Sequence, residues 1–263
     1  MRSPGRHVPA VLALGFAVSA IIVLLYTSRY GIGLLPDSAT YFAGARSLAS
    51  GQGFATFDGS PVVVFPPLYS ILLVPFAGSL AYGAIVLNIF LMALAGALSF
   101  SLAHRYTSSL PVATAIMLLV LVLVLRPMGG IASMALSELP FVVAVLGWIW
   151  LAARFWDAPN RRTLVLLAGV TALALLLRYI GVFLVLVGVV VVFAQPKPTR
   201  TRAGQATAFT VLAVLPVAAY FARNLAISGT LMGRRSPSQT SLIESRSPWI
   251  LFWVGFGLRP HST

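Results

Sequence analysis

The sequence predicts an all-α polytopic membrane protein with about seven transmembrane helices. Two observations carry this prediction. Of the 263 residues, 59% are hydrophobic and only 9% are charged, whereas about 25% of the residues in a typical soluble domain are charged. The hydrophobic residues also form separate runs close to the length of about 20 residues that a helix needs to cross a bilayer. A water-soluble enzyme is therefore excluded, and residues 1–263 are predicted to form a single transmembrane module.

Seven apolar runs are predicted to span the membrane, because each can satisfy its backbone hydrogen bonds within one helix. In chain order they cover residues 8–28, 80–103, 111–127, 137–154, 163–178, 179–194 and 205–222. Two shorter runs, at 68–77 and 248–258, predict interfacial or re-entrant helices. The two adjacent runs that meet at Arg178 could form one long helix, but their combined length exceeds the thickness of a bilayer. We therefore predict a tight hairpin that places Arg178 at the water interface.

The density of basic residues predicts the orientation, since short cytoplasmic loops are enriched in Lys and Arg. If the N-terminus is cytoplasmic, the two sides carry equal numbers of cations, but the cytoplasmic cations lie in much shorter loops. They are Arg2, Arg6, Arg105, Arg154, Arg161, Arg162, Lys197, Arg200 and Arg202. We therefore predict a cytoplasmic N-terminus, with residues 29–79 and 223–263 outside. The first run, 8–28, is longer than the apolar core of a signal peptide, so we interpret it as a true span.

The charges and the absence of cysteine narrow the possible partners. Eighteen Lys and Arg residues against five Asp and Glu residues give a formal net charge of +13. The cations are scattered between apolar runs, which disfavours nucleic acid as a partner and favours membrane lipids and other phosphate-bearing lipids. The three histidines lack the spacing of metal ligands and cysteine is absent, so we assign no metal site and no cofactor, and the use of a divalent metal stays open. Carboxylate chemistry is limited to Asp37, Asp58, Glu138, Asp157 and Glu244.

The first outside loop contains the most informative pattern in the chain. Asp37 and Ser38 are predicted to start a helix, because either side chain can accept hydrogen bonds from the free amides of a first turn. The pattern that follows predicts a short amphipathic helix over 38–50, which ends at Gly51 and lies along the membrane surface. A second short helix is predicted to begin at Leu68, directly after two prolines.

Five landmarks occur in a fixed order along the chain. They are Asp37 followed by Pro66-Pro67-Leu68-Tyr69, then Ser137-Glu138-Leu139-Pro140, Leu177-Arg178-Tyr179-Ile180-Gly181, Ala222-Arg223-Asn224 and Gly229-Thr230-Leu231-Met232-Gly233-Arg234-Arg235. This ordered set resembles the GT-C membrane glycosyltransferases, and within them the bacterial branch related to dolichyl-phosphate-mannose–protein mannosyltransferases. The resemblance covers roughly residues 30–240.

The resemblance implies transfer of a sugar from a polyprenyl-phosphate carrier to an acceptor outside a bacterial inner membrane. The acceptor class, whether glycan, lipid or protein, stays open. In the family, the Asp after the first span acts as general base or orients the acceptor, a role that falls on Asp37 here. Family members often have a second acidic residue next to it, where this chain has Ser38. Members are also commonly longer, which leaves open that this chain is a truncated or degenerate copy.

The charges of the outside segments suit this chemistry. Arg holds phosphate oxygens with two charge-assisted hydrogen bonds, so we predict that Arg178 and Arg223 bind the phosphate of the donor. A carboxylate within hydrogen-bond reach can accept the proton of the acceptor hydroxyl, and we assign this role to Asp37. Possible supporting residues are Glu138, Tyr41, Tyr69, Arg234 and Arg235.

Each assignment competes with a simpler interpretation. Asp37 could only cap a helix, and Glu138 could only compensate a helix dipole. Arg223 could anchor a span at the headgroups, and Tyr41 and Tyr69 could belong to an interfacial aromatic belt. Two other functions are also open for the whole chain. A transporter would place polar groups or helix breaks at mid-membrane, where this sequence is almost wholly aliphatic. A catalytically inactive scaffold is the other alternative.

Overall fold

The computed structural model describes residues 7–123, 130–196 and 198–233. Within these ranges the helices are α1 Val8–Thr27, α2 Pro36–Ala49, α3 Leu68–Leu73, α4 Leu80–Thr107, α5 Leu110–Leu123, α6 Glu138–Asp157, α7 Arg161–Leu177, α8 Val182–Phe193 and α9 Thr199–Ser228. The described residues form no β-strand, and those up to Met232 belong to one compact unit. The prediction of an all-α protein is therefore confirmed for this part of the chain.

Helices occur at all seven segments predicted to span the membrane, but they differ in length. In the described part of the chain, α1, α4, α6 and α9 are long and apolar enough to cross a bilayer. The other three are shorter, with 14 residues in α5, 17 in α7 and 12 in α8. At about 1.5 Å per residue, α8 covers roughly 18 Å of a hydrocarbon layer that is about 30 Å thick. Four candidate spans are thus established, and the number seven stays a prediction.

The first helix, α1, buries small residues and exposes large apolar ones, as expected for a helix that faces lipid. In α1, Gly15, Ser19 and Val23 follow one another at four-residue intervals and are buried. A methyl group at Gly15 would lie 2.9 Å from the sulfur of Met117 in α5, so the two helices approach closely. Leu25 lies elsewhere on α1 and is 69% exposed. Small residues therefore hold α1 in the bundle while its large side chains are left for lipid.

Backbone pairing joins the segments that precede α2 and α6. The Gly33 N–H donates to the carbonyl of Ser133 at 2.7 Å, and the Ala135 N–H donates to the carbonyl of Gly33 at 3.0 Å. Asn88, which is fully buried in α4, donates from Nδ2 to the carbonyls of Ala132 and Met134, both at 2.9 Å. These bonds fix the starts of α2 and α6 beside each other at one end of the bundle.

The start of α2 differs in detail from the prediction. The helix begins at Pro36, and the residue before the first turn is Leu35. The Ser38 hydroxyl accepts from the Leu35 N–H at 3.0 Å, and Asp37 is exposed in the first turn. Neither Asp37 nor Ser38 is therefore the N-cap residue, but the Ser38 hydroxyl does satisfy one free amide at the start of the helix. At the other end, Gly51 follows the helix with a left-handed φ of 75°, the conformation expected of a terminating glycine.

The predicted break between two helices at Arg178 is confirmed, and its position at a water interface stays a prediction. Arg178 adopts an extended backbone, with φ −152° and ψ 132°, between the end of α7 and the turn that leads into α8. The turn folds back so tightly that a methyl group at Gly181 would lie 2.9 Å from backbone atoms of Ala174 and Leu175. Only glycine fits there without a shift of the backbone. The last span was predicted to end at 222, but α9 continues to Ser228 and includes Arg223.

Candidate functional site

A chain of polar contacts connects three helical segments at the end of the bundle where α2 and α6 begin. Arg178, in the α7–α8 turn, forms an ion pair with Glu138 in the first turn of α6. Its Nη1 also donates to Ser137 Oγ, at 3.4 Å. Ser137 Oγ lies 3.0 Å from the Tyr41 hydroxyl in α2. Residues that are far apart in sequence thus form one connected group, which we call the Tyr41–Arg178 network: Tyr41, Ser137, Glu138 and Arg178.

Asp37 contributes its charge to this network. It precedes Tyr41 by four residues in α2, so the two side chains lie on the same face of the helix. The pKa of Tyr41 is raised overall, and burial is the largest cause. Its hydrogen bond with Ser137 and the Arg178 guanidinium lower this pKa, whereas the Asp37 and Glu138 carboxylates raise it. The Tyr41 hydroxyl therefore lies within the fields of two carboxylates and one guanidinium, and it stays protonated at neutral pH. Asp37 itself is exposed.

Two buried polar atoms, one next to the Tyr41–Arg178 network and one within it, have no hydrogen-bond partner among the described residues. They are the hydroxyl of Tyr69, in α3, and Oε2 of Glu138. Tyr69 is fully buried, and its ring packs edge-on against that of Tyr41 with the centroids 5.0 Å apart. Its burial and the nearby Glu138 charge raise the pKa of the Tyr69 hydroxyl. Buried polar groups in folded proteins are nearly always hydrogen-bonded, so two unsatisfied ones in one place mark it as a candidate site.

Glu138 supplies the anion that Arg178 requires. Burying a guanidinium without an anion is costly, and in the structure the neighbouring anion is a carboxylate of the chain itself. The side chains of Arg178 and Glu138 are 37% and 29% exposed, so the pair remains open to solvent on one side. A guanidinium has five N–H donors in a planar fork, and it can therefore serve a carboxylate and a second anion together.

Arg223 belongs to a different contact group. Its Nη1 donates to the carbonyl of Val62 at 2.8 Å and to Oδ1 of Asn224 at 2.9 Å, and its Nη2 donates to the carbonyl of Phe54 at 3.0 Å. The guanidinium also lies over the rings of Phe54 and Tyr220, at 5.8 and 5.6 Å from their centroids. These contacts attach α9 to the outside loop. Phosphate binding by Arg223 stays a prediction, and Arg234 and Arg235 lie outside the described residues.

Ser137 is the residue of the network that sequence reasoning did not single out. It belongs to one of the landmarks, and it directly precedes α6. It is 1% exposed and contacts both Tyr41 and Arg178. A serine before an apolar run is common as a helix cap, so its position in the sequence does not indicate that this hydroxyl bridges two other segments.

Among the described residues, no three His, Asp or Glu side chains group closely enough to hold a metal ion. The groups available in the network are the Glu138 carboxylate, the Arg178 guanidinium and the hydroxyls of Tyr41 and Ser137, and the Asp37 carboxylate lies one helical turn before Tyr41. No protein-family model, curated protein or solved structure matches this chain. We therefore infer its function from the side chains that the fold brings together.

Proposed function

We propose that this protein is a glycosyltransferase that transfers a sugar from a polyprenyl-phosphate donor to an acceptor on the extracytoplasmic side of the membrane. The observation that carries the proposal is that the contacts of the Tyr41–Arg178 network join three separate segments at one end of an apolar helical bundle, with Asp37 one helical turn before Tyr41 in α2. This arrangement combines an exposed carboxylate with a guanidinium, and the proposed reaction needs one group of each kind.

In the proposed reaction the acceptor hydroxyl attacks the anomeric carbon of the donor sugar. The bond between that carbon and the phosphate oxygen breaks, and polyprenyl phosphate leaves with the bonding electron pair. Asp37 accepts the proton of the acceptor hydroxyl, a role for which its exposure on the first turn of α2 gives access. The negative charge left on the phosphate requires a cation, and the Arg178 guanidinium is the one in the Tyr41–Arg178 network.

Glu138 has a separate role in this proposal. Its ion pair with Arg178 and its place in the first turn of α6 hold both charged groups in position. Tyr41 reaches the same pair through Ser137 and fixes α2, which carries Asp37, relative to α6. Glu138 and Tyr41 therefore act as positioning residues, whereas Asp37 and Arg178 contact the reacting molecules.

The test is an assay of the purified full-length protein with radiolabelled polyprenyl-phosphate sugars and an extract of candidate acceptors. We expect Asp37→Asn to lower the rate of transfer at least about 100-fold, the usual contribution of a general base. The matched control is Asp58→Asn, which also removes an exposed carboxylate from the first outside loop. Asp58 accepts from the Ser60 N–H at 3.1 Å in a surface turn, so this variant should keep its activity.

Two results contradict the proposal. Full activity of Asp37→Asn rejects Asp37 as the base, provided that the variant inserts into membranes at the level of the wild type. Absence of transfer by the wild-type protein with every donor tested supports the inactive scaffold instead. In that case Asp37→Asn and Asp58→Asn cannot differ in activity.

A further inference from the structure

A pocket of about 380 Å³ lies at the end of the bundle opposite the Tyr41–Arg178 network, where α6 turns into α7. We call it the α6–α7 pocket. Its polar lining comes from Trp150 and Arg154 of α6 and from Asn160, Arg162 and Thr163 at the start of α7. Under the predicted orientation this pocket faces the cytoplasm. It shares no residue with the proposed catalytic site, so its function is independent of the glycosyltransferase proposal.

The lining of the α6–α7 pocket is basic. Arg154 and Arg162 contribute guanidinium groups from two different helices, and no lining residue is acidic. Asp157, the last residue of α6, forms an ion pair with Arg105 of α4. In the part of the chain that the structure describes, neither Arg154 nor Arg162 forms an ion pair.

The start of α7 adds positive potential to the same pocket. Helix N-termini carry a partial positive charge, so acidic side chains are favoured there and basic ones are disfavoured. The first turn of α7 nevertheless contains Arg161 and Arg162 and no acidic residue. Asn160 Oδ1 accepts from the Thr163 N–H at 2.9 Å, and the preceding first-turn N–H groups have no partner within the helix. An anion bound here would remove this electrostatic conflict.

The Arg154 guanidinium is held in place at one wall of the pocket. Arg154 lies over the ring of Trp150, with its central carbon 4.7 Å from the ring centroid, and this cation–π contact restricts the side chain. The remaining wall includes Leu151 and Leu166, which continue into the apolar surfaces of α6 and α7. The pocket thus places two cations next to apolar surface, where the polar head and the chain of a lipid meet.

We propose that the α6–α7 pocket binds a phosphate group between Arg154 and Arg162. The phosphate can belong to the headgroup of an anionic phospholipid or to free inorganic phosphate, since both present the same oxyanion to the two guanidinium groups. Arg is suited to this task because its planar fork makes paired charge-assisted hydrogen bonds to phosphate oxygens.

The test measures binding to the full-length protein in detergent by the shift of its thermal unfolding midpoint. Phosphatidylglycerol, phosphatidylcholine and inorganic phosphate are titrated separately at constant ionic strength. We expect Arg162→Gln and Arg154→Gln each to weaken phosphatidylglycerol binding by about tenfold or more, as loss of a hydrogen bond to a charged group predicts. The matched control is Arg200→Gln, which removes an exposed cation at the start of α9 on the same predicted side.

The titrations also identify the source of the phosphate. Stabilisation by phosphatidylglycerol alone assigns the pocket to a lipid headgroup, and stabilisation by inorganic phosphate assigns it to the oxyanion whatever its source. The proposal is overturned if phosphatidylcholine stabilises the protein as strongly as phosphatidylglycerol, or if none of the three ligands stabilises it. It is also overturned if Arg162→Gln and Arg200→Gln weaken binding equally. Transfer activity is not part of this measurement, so its outcome does not depend on the proposed enzyme function.

Discussion

The ion pair between Glu138 and Arg178 allows a quantitative test of how the structure holds the candidate site together. The perturbation is a double-mutant cycle with Glu138→Gln, Arg178→Gln and the two substitutions combined. Glutamine matches glutamate in size and is shorter than arginine, and it removes the charge of either side chain. The coupling free energy of the cycle isolates the interaction between the two groups from their contacts with the rest of the protein.

The expected magnitude follows from the exposure of the two side chains. Exposed ion pairs contribute about 0–1 kcal/mol, and removing one partner of a fully buried pair costs about 3–5 kcal/mol. Arg178 and Glu138 are 37% and 29% exposed, between these limits, so we expect a coupling of about 2 kcal/mol. That corresponds to roughly a 30-fold change in the unfolding equilibrium constant. Glu138→Gln also loses about 0.3–1 kcal/mol of helix-dipole stabilisation in α6, which cancels from the coupling.

The assay is reversible unfolding in mixed micelles, followed by circular dichroism. The Arg105–Asp157 pair at the opposite end provides the control cycle. Its side chains are 28% and 60% exposed, and a more exposed pair should couple more weakly, by about 1 kcal/mol or less. The reasoning is refuted if the Glu138–Arg178 coupling is no larger than the Arg105–Asp157 coupling.

Two further predictions concern stability near the site. Tyr69→Phe removes a buried hydroxyl that has no hydrogen-bond partner among the described residues, so we expect unfolding in the same assay to show equal stability or a gain of up to about 1 kcal/mol. Tyr41→Phe, which loses the 3.0 Å contact with Ser137, should instead cost about 1 kcal/mol, and the reverse order of the two would contradict the structure. Gly181→Ala should destabilise the protein by about 2 kcal/mol, because its methyl group meets backbone atoms of α7. Gly169→Ala, in α7 with no atom within 4 Å of the added methyl group, should be neutral or stabilising by up to about 1 kcal/mol, and equal losses in both variants would exclude the steric explanation.

The local pattern of apolar and polar residues was sufficient to predict where helices occur along the chain. Apolar runs bounded by polar residues predicted α1, α4 and α6 to within a few residues at their starts, because a helix in lipid satisfies its own backbone hydrogen bonds. The break at Arg178 was predictable for the same reason, since a charged residue between two apolar runs favours the water interface. The ends of α9 were less predictable, since it runs from Thr199 to Ser228 where a span over 205–222 was predicted, because hydropathy does not show how far a helix continues beyond its apolar run.

The partners of the charged side chains were not predictable from the sequence. Arg178 and Arg223 were given the same role, yet the tertiary structure pairs one with Glu138 and attaches the other to the carbonyls of Val62 and Phe54. Hydrophobic pattern is local and fixes which segments become helices, so the sequence by itself determined an apolar helical membrane protein with its polar landmarks at the helix ends. Which landmarks meet depends on long-range pairing, such as that of Gly33 with Ser133 and Ala135. Only the packed helices decided that Ser137 connects Arg178 with Tyr41, which lies one helical turn after Asp37 in α2.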